Sequence, residues 1–395
     1  MYRSRSLAPV VAAAAALSTT CVPARSLTTA AGPDVPAAAA VAALPAPLDP
    51  AAEGAELADA TIPVVLVVLD GVRWQEVFGG VDPTLAASHR AGPVVGARSL
   101  LPSLYAALDA RGAAFGAPGY GVISASGPNF VSLPGYTEIF GGRAPAACQD
   151  NDCAGASGPT IVDALRDRAR ADSDVAVIAS WAPIGRAATR APSRIVLSAG
   201  RKDVEGASFL EDEPSTRAVL DEGARADPRP GHDAFRPDRY TAELALRYLE
   251  TRRPSFLFVG LGEPDEYAHE DDYRGYLASL RAADDFFGRL FAALDRMGER
   301  GRRSLVLVTA DHGRARDYRD HGAGLPESAR VWLLALGGPV HARGFVQAPH
   351  SRRLSDVAPT IRQVVGLPLD EVAGAGAPIF ELLGEAETQP LFSRQ

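Results

Sequence analysis

Short, continuous apolar segments recur along the chain, and they constrain its fold more than any other feature of the sequence. The first runs from Ile62 to Leu69, is rich in Val and contains no polar residue. A run of this length and composition is typical of a β-strand that is buried on both faces. Five similar segments follow: Val175 to Ala179, Ile195 to Leu197, Phe256 to Leu261, Leu305 to Thr309 and Val331 to Leu336.

Segments with helical periodicity separate these strands. Their apolar residues recur at spacings of three and four, as on the buried face of a helix. Strands that alternate with helices predict an α/β fold with a mostly parallel sheet. We expect one domain over residues 61–385, with a polar insertion rich in Pro and Gly from Ser198 to Asp238. The helical segments are Leu101 to Ala110, Thr160 to Ala171, Arg239 to Leu249 and Tyr273 to Met297.

The charge of the chain argues against one large class of function. Its 40 basic residues are outnumbered by 48 acidic ones, which gives a net charge of -8, and Lys202 is the only lysine. Since no stretch is dense in Lys or Arg, we expect no nucleic-acid-binding surface. Beyond the N-terminal region, no apolar run is long enough to predict a transmembrane segment.

The N-terminal region has the pattern of a targeting signal. Two arginines precede an apolar, Ala-rich run from Leu7 to Leu17, and small residues follow. This order predicts a secretory signal over residues 1–30, followed by a flexible Ala/Pro-rich linker over residues 31–60. The protein is therefore expected to be exported, as a periplasmic or secreted protein. Lipid attachment at Cys21 is the alternative to soluble export.

Two cysteines lie close together in the segment Cys148-Gln-Asp-Asn-Asp-Cys153. Exported proteins form disulfide bonds in oxidising compartments and rarely keep exposed free thiols, so we expect Cys148 and Cys153 to be bonded to each other. Two neighbouring free thiols are the alternative.

Metal-ligand side chains follow three of the predicted strands. Because sites in open parallel sheets form where strands end, we expect these side chains to lie together. Each feature alone is ordinary, since an Asp-Gly pair after a strand is usually a turn. Together, carboxylates and imidazoles suit zinc, with manganese and iron as alternatives, and six ligands suit two ions of three ligands each. The six are Asp70, Asp265, His269, Asp311, His312 and His321.

A hydroxyl group stands at the start of another predicted helix. Ser132 lies two residues before Pro134, and a short helical stretch follows. The N-terminus of a helix favours an alkoxide or an anion, which makes Ser132 a candidate nucleophile. A helix cap is the alternative role for Ser132. Thr137 is a second candidate hydroxyl, but it falls about a turn inside the same helix.

The order of these motifs resembles the alkaline phosphatase superfamily, in particular its type I phosphodiesterase/nucleotide pyrophosphatase-like branch. The resemblance covers most of Val64 to Leu367 and includes the stretch from Ser355 to Thr360. It implies a three-layer α/β/α architecture with a mostly parallel central sheet. The motifs are Asp70-Gly71 after a strand, Ser132-x-Pro134, Asp265-x-x-x-His269, Asp311-His312-Gly313 and His321-Gly322.

The resemblance also implies roles for these residues. Ser132 would be the nucleophile, and Asn151 and Arg314 would bind the phosphate group of the substrate; an exposed structural arginine is the alternative for Arg314. One metal ion, which also contacts Ser132, would be held by Asp70, Asp311 and His312. The other would be held by Asp265, His269 and His321.

The sequence departs from the superfamily patterns beside the nucleophile. The phosphodiesterase branch commonly has Thr, Phe, Pro, Asn and His there, whereas this chain has Ser132, Leu133, Pro134, Gly135 and Tyr136. Nucleotide specificity is therefore not implied. Sulfatases need an Arg four residues after the modified Cys or Ser, and Tyr136 stands at that position. A sulfatase is accordingly disfavoured.

The sequence thus predicts an exported, zinc-dependent phosphohydrolase. It would cleave phosphate mono- or diesters of small molecules through a phosphoserine intermediate. A sulfatase or phosphonate-ester hydrolase of the same superfamily is one alternative. An inert exported metal-binding protein on the same scaffold is the other, and it would be expected to lack some of the ligands.

Overall fold

The computed structural model describes residues 62–201, 203–205, 210–341, 343–348 and 350–383. All of these lie within one compact unit of the chain. The predicted signal segment, the linker and Cys21 fall outside the described part of the chain.

A large central sheet organises the described residues. The strands are β1 (Val64–Leu69), β2 (Gly112–Phe115), β3 (Ile123–Ser124), β4 (Val175–Ala179), β5 (Val196–Ala199), β6 (Asp203–Glu205), β7 (Phe256–Leu261), β8 (Leu305–Thr309), β9 (Arg330–Val331), β10 (Leu333–Gly337), β11 (Gly344–Phe345) and β12 (Arg352–Arg353). The order of strands in the large sheet is β11-β2-β10-β8-β1-β7-β4-β5-β6, and a smaller sheet has the order β12-β3-β9.

The middle of the sheet is parallel and fully buried. Strand β1 lies between β7 and β8 and pairs in parallel with both. Every residue of these three strands is buried, which explains why each is a continuous apolar run rather than an alternating one. The predicted α/β fold with a mostly parallel sheet is confirmed.

The sheet departs from a purely parallel arrangement at β6, which pairs antiparallel with β5, and on one side of β8. The predicted strand Val331 to Leu336 is divided at Trp332 between β9 and β10. Strand β10 then pairs antiparallel with both β8 and β2. Strand β2 was not predicted, because its four residues, Gly-Ala-Ala-Phe, offer little apolar pattern from which to recognise a strand.

The helices pack in two sets, as the three-layer architecture requires. The helices are α1 (Trp74–Gly79), α2 (Pro83–His89), α3 (Ala97–Leu100), α4 (Pro102–Arg111), α5 (Ser132–Gly141), α6 (Ile161–Arg168), α7 (Ile184–Ala188), α8 (Pro214–Arg225), α9 (Asp238–Arg252), α10 (Glu263–His269), α11 (Tyr273–Arg296), α12 (Gly298–Arg302), α13 (Val357–Val365) and α14 (Phe380–Leu383). One set contains α2, α4, α8, α9 and α11, and the other contains α5, α6, α7 and α13. The region from Ser198 to Asp238 contains β6 and α8.

None of the described helices is both long enough and apolar enough to cross a membrane.

Helix α5 approaches the end of β8 so closely that a glycine is required at the contact. A Cβ atom on Gly135 would lie 2.3 Å from the carbonyl oxygen of Asp311. A backbone atom cannot give way as the end of a flexible side chain can. The glycine therefore sets the distance between the helix that begins at Ser132 and the strand end that carries Asp311 and His312.

We predict that Gly135→Ala destabilises the fold by about 1–3 kcal/mol, because the added methyl group forces helix and strand apart. Gly141→Ala is the matched control in the same helix, since a Cβ atom there meets nothing within 4 Å. It should leave stability unchanged or raise it by about 0.5 kcal/mol. Urea denaturation of both variants measures the difference, and equal midpoints would contradict this account of the contact.

Candidate metal centre and nucleophile

The three central strands bring the predicted ligands to one edge of the sheet. Asp70 follows β1 directly, and its backbone N–H donates to the carbonyl oxygen of Leu261 at the end of β7 (2.9 Å). Helix α10 then follows β7, and Asp311 and His312 follow β8. Because β7, β1 and β8 are adjacent and parallel, their carboxyl ends lie side by side.

The first cluster consists of Asp70, Asp311 and His312, all of which are buried. His312 Nε2 lies 3.4 Å from Asp70 Oδ1 and 3.5 Å from Asp311 Oδ2. Asp311 Oδ1 accepts a hydrogen bond from the backbone N–H of Gly71 at 3.1 Å. Asp311 Oδ2 is buried without a hydrogen-bond partner in the described structure. This carboxylate oxygen is thus aimed at a place where a cation would satisfy it.

The second cluster consists of Asp265, His269 and His321. Asp265 and His269 are one turn apart on α10, and His269 Nε2 lies 2.9 Å from Asp265 Oδ2. His321 joins them from the loop after β8, with its Nε2 3.9 Å from Asp265 Oδ1 and 3.1 Å from His269 Nε2. Two imidazole nitrogens this close repel each other unless a proton or a metal ion lies between them.

The two clusters are in direct contact. His312 Nε2 lies 3.7 Å from Asp265 Oδ1, so a carboxylate of the second cluster also faces the imidazole of the first. The rings of His312 and His321 are stacked, with centroids 3.9 Å apart and planes inclined by 16°. The six predicted ligands therefore form one continuous site with two halves.

The orientation of two imidazoles suits metal binding. His312 Nδ1 lies 2.9 Å from the carbonyl oxygen of Gly313, and His321 Nδ1 lies 2.8 Å from that of Phe130. A ring nitrogen that faces a carbonyl oxygen must carry the proton, which leaves the lone pair on Nε2 of each neutral ring. Both Nε2 atoms point into the cluster of carboxylates.

The concentration of negative charge is visible in the pKa values. Burial and the nearby charge of Asp70 raise the pKa of Asp311 well above its usual range. Burial lowers the pKa of His312, but Asp311, Asp70 and Asp265 raise it more, to about 9. Burial and the charge of His312 lower the pKa of His321 to about 3. A buried group of carboxylates with this little compensating charge is expected to bind cations.

Ser132 lies beside the first cluster and does not cap its helix. Its Oγ is 3.3 Å from Asp70 Oδ1 and 3.3 Å from His312 Nε2. The capping residue of α5 is Val131, and Ser132 is the first helical residue. The hydroxyl of Thr137 instead lies 3.7 Å from Cys148 Sγ. The structure therefore separates the two candidate hydroxyls and brings only Ser132 to the ligands.

Tyr136 is a residue of the site that the sequence did not reveal as one. Its hydroxyl donates a hydrogen bond to Asp70 Oδ2 at 3.0 Å, while Asp70 Oδ1 faces Ser132. Burial and the charge of Asp70 raise the pKa of Tyr136 well above its usual range, which keeps the phenol protonated as a donor. The sequence did contain a signal for this role, because Tyr136 lies four residues after Ser132 and residues four apart on a helix share a face.

Asn151 is held at the start of α5 by the disulfide loop. Cys148 and Cys153 form the predicted disulfide bond, with Cα atoms 5.2 Å apart. Within this loop, Asn151 Oδ1 accepts a hydrogen bond from the backbone N–H of Leu133 at 2.9 Å. The side chain of Asn151 thus lies next to Ser132, where its role in substrate binding stays a prediction.

Arg314 is not a free phosphate ligand, contrary to the sequence-based expectation. It is 2% exposed, so the alternative of an exposed structural arginine is also wrong. Its Nε donates to the carbonyl oxygen of Gly71 at 3.2 Å, and its Nη1 donates to that of Tyr318 at 3.1 Å. Its Nη2 binds both the carbonyl and the carboxylate of Asp265. Although burial opposes ionisation, Arg314 and His321 hold the pKa of Asp265 well below its usual range.

The donor set as a whole fits two divalent metal ions. The first cluster offers two carboxylates and one imidazole, and the second offers one carboxylate and two imidazoles, groups that zinc and related ions bind. The unpartnered Asp311 Oδ2 and the facing Nε2 atoms of His269 and His321 are arrangements that a cation would relieve.

Part of the chain matches a known protein family. Residues 236–369 match the family model of the metalloenzyme superfamily. This stretch contains helix α10, strand β8 and five of the six candidate ligands.

Among curated proteins, the chain resembles part of 2,3-bisphosphoglycerate-independent phosphoglycerate mutases. It is 27% identical over 165 residues to that of Agrobacterium fabrum, covering 37% of this chain and 31% of that protein. It is 32% identical over 119 residues to that of Cereibacter sphaeroides, covering 29% of this chain and 22% of that protein. The chain thus spans less than a third of the length of these relatives.

Solved structures share the fold at low sequence identity. A phosphonate monoester hydrolase from Silicibacter pomeroyi has a TM-score of 0.51 and 16% identity, covering 83% of this chain and 78% of that chain. A 2-O GAG sulfatase has a TM-score of 0.51 and 13% identity, covering 83% and 76%. A wild-type alkaline phosphatase has a TM-score of 0.50 and 12% identity, covering 82% and 99%.

The family match and the shared fold agree with each other and with the order of motifs in the sequence. The phosphodiesterase-like branch within the superfamily stays a prediction. Residues 236–369 of the protein thus match the metalloenzyme superfamily, and its fold is that of alkaline phosphatase.

Proposed function

We propose that the protein is an exported, two-metal phosphohydrolase that cleaves phosphate mono- or diesters of small molecules through a phosphoserine at Ser132. One observation carries this proposal. The Ser132 hydroxyl lies 3.3 Å from both Asp70 Oδ1 and His312 Nε2, next to two clusters of metal-ligand side chains. A nucleophile beside paired ligand sets is the arrangement that phosphoryl transfer requires.

In this proposal, Asp70, Asp311 and His312 hold one ion, and Asp265, His269 and His321 hold the other. Two bound divalent ions, proposed to be zinc, would supply the positive charge that stabilises an alkoxide and the oxygens of a phosphate group. The protein contributes the rigid positions of the ligands. Arg314 fixes Asp265, and Tyr136 fixes the carboxylate of Asp70 that faces Ser132.

The chemistry of Ser132 follows from its place at the start of α5. The positive end of the helix favours the alkoxide, and Asp70 Oδ1 and His312 Nε2, each 3.3 Å from the hydroxyl oxygen, are the acceptors within reach of its proton. A bond forms between Ser132 Oγ and phosphorus as the bond from phosphorus to the ester oxygen breaks, and the alcohol leaves as its alkoxide, which takes a proton from water. Water then cleaves the phosphoserine and releases phosphate or a monoester. Asn151, which lies beside Leu133, is proposed to hold a phosphate oxygen through its amide.

Export is proposed from two features. The N-terminal region has the pattern of a secretory signal, and the chain carries the Cys148–Cys153 disulfide. Disulfide bonds persist in oxidising compartments and are rare in the cytosol.

The fold alone does not choose among phosphate, phosphonate and sulfate esters, since proteins with all three names share it. The residues beside Ser132 favour phosphate over sulfate. Tyr136 occupies the position of the arginine that sulfatases need, and its hydroxyl is bound to Asp70. A phosphonate-ester hydrolase is the closer alternative, because its substrate differs from a phosphate ester by one atom at phosphorus.

We predict that Ser132→Ala lowers kcat by several powers of ten while the variant keeps its fold and bound metal, because a covalent nucleophile has no substitute. Thr137→Ala is the control, since its hydroxyl lies in the same helix but faces Cys148. Steady-state kinetics and thermal melting of both variants are the measurements. Normal turnover by Ser132→Ala would refute the assignment of the nucleophile.

We predict that the purified protein carries close to two metal ions per chain and that chelators abolish its activity. Asp311→Asn should lose metal, because an amide cannot supply the charge of the buried, unpartnered oxygen. Elemental analysis of the wild type and the variant checks both statements. A metal-free wild type whose activity survives chelation would rule out two-metal chemistry.

We predict turnover of an aryl phosphate monoester or diester that exceeds turnover of the matching aryl sulfate by orders of magnitude. An aryl phosphonate ester completes the panel with the same leaving group. Release of the aryl alcohol is followed in parallel for all substrates. Faster cleavage of the sulfate or the phosphonate would replace the proposed substrate class with that alternative.

A further inference from the structure

A buried polar network lies behind the helix that carries two of the six proposed metal ligands. At its centre is Asp238, the first residue of α9, which is 8% exposed. Its carboxylate does not touch the ligands. It binds the start of α10, the short helix on which Asp265 and His269 stand.

Asp238 caps α10 from another helix. Oδ1 of Asp238 accepts a hydrogen bond from the backbone N–H of Gly262, and Oδ2 accepts one from that of Glu263, both at 2.9 Å. The residue at the capping position of α10 is Gly262, which has no side chain with which to cap. In return, the backbone N–H of Asp238 donates to Glu263 Oε1 at 3.1 Å. The two helix starts are thus locked to each other by three hydrogen bonds.

The capping carboxylate is itself held in place. Ser180 Oγ donates to Asp238 Oδ1 at 2.5 Å and lies 2.8 Å from Thr241 Oγ1. The fully buried Arg236 donates to Thr241 Oγ1 at 3.0 Å and to Ser198 Oγ at 2.7 Å. Ser180 follows β4 and Ser198 lies in β5, so the network ties Asp238 to the ends of two sheet strands.

Helix α10 needs such support because it is only seven residues long. A helix this short gains little stability from its own hydrogen bonds, and its direction is set by its contacts. Arg314 holds Asp265 on the side of β8, and Asp238 holds the start of the helix on the side of β4. The positions of Asp265 and His269 therefore depend on both anchors.

We infer that Asp238 is a positioning residue for the second metal cluster, Asp265, His269 and His321. The inference rests on the proposed function, because it assigns Asp238 to a metal site that the proposal introduces. Side chains that hydrogen-bond to a metal ligand typically account for about 10–100-fold in metal affinity, and we expect an effect of the same order from Asp238, which acts on the ligands through the backbone of α10.

The test is the metal affinity of Asp238→Asn, measured by titrating the metal-free full chain with Zn²⁺ in a calorimeter. Asparagine has nearly the same shape, but its amide has an NH₂ group in place of one carboxylate oxygen, and an NH₂ group cannot accept a hydrogen bond. In either orientation of the amide, this group faces donors that Asp238 accepts from, which are the backbone N–H groups and the Ser180 hydroxyl. We expect one of two sites to weaken about 10–100-fold and the other to stay unchanged. A merely structural role would lower the melting temperature and affect both sites alike.

Glu263→Gln is the matched control, because it changes a carboxylate at the same helix start but keeps an oxygen that accepts from the Asp238 N–H. It should bind both ions as the wild type does. Ser180→Ala provides a milder variant in case Asp238→Asn fails to fold, because it removes one hydrogen bond to Oδ1 and leaves both backbone contacts. It should weaken one site about 2–5-fold, less than the loss of a whole orienting partner.

Several results would overturn the inference, and they are distinguishable from failure of the proposed function. Two unchanged sites in a folded Asp238→Asn would overturn the positioning role alone, as would an unchanged Ser180→Ala if Asp238→Asn does not fold. Equal weakening of both sites, or an equal effect of Glu263→Gln, would do the same. A wild-type chain that binds no Zn²⁺ would instead contradict the proposed function and the inference with it.

Discussion

Three buried carboxylates lie around one imidazole nitrogen, and the rest of the site is arranged around this concentration of negative charge. His312 Nε2 is 3.4 Å from Asp70, 3.5 Å from Asp311 and 3.7 Å from Asp265. Buried charges of one sign are tolerated only when cations or hydrogen-bond donors compensate them. Arg314 compensates Asp265, whereas the basic group that lies against Asp70 and Asp311 is the imidazole of His312, which is itself a candidate metal ligand. Two metal ions would supply the missing charge.

The parallel sheet brings the ligand residues together, but it does not by itself fix their side chains in place. Three adjacent strands end together, so their following residues meet without long connections. Keeping the ligands in place then requires fixed contacts from remote parts of the chain. Gly135 allows α5 to touch the carbonyl of Asp311, Tyr136 orients Asp70, and Asp238 anchors the helix that carries Asp265. The geometry of the site therefore depends on contacts between elements and not on the ligand motifs alone.

The sequence predicted the features that depend on local pattern. Strands β4, β7 and β8 were predicted with their observed bounds, because a strand buried on both faces is a continuous apolar run. The start of α5 at Ser132 was predicted as well. The six candidate ligands were identified because each lies in a segment that follows one of three predicted strands. Their pairing into two clusters agrees with the grouping that the family resemblance implied.

The features that the sequence did not predict depend on partners far along the chain. Strand β10 pairs antiparallel with β2, which lies far away in the sequence, and the residue pattern of neither strand indicates the other as its partner. The sequence leaves open whether the long side chain of Arg314 reaches the substrate. The fold shows that its guanidinium group donates hydrogen bonds to the Asp265 carboxylate and to three backbone carbonyls of other residues. Tyr136 appeared as a departure from known motifs, yet its phenol binds a proposed metal ligand.

The central claim is that Ser132, held beside Asp70 and His312 of the first cluster, forms a covalent bond to phosphorus. The most direct measurement is mass spectrometry of the wild-type protein after acid quenching during turnover of an aryl phosphate. The account predicts a peptide that contains Ser132 and carries one added phosphoryl group at that residue. Rapid product release with Ser132 unmodified, or a phosphoryl group on another residue, would contradict it.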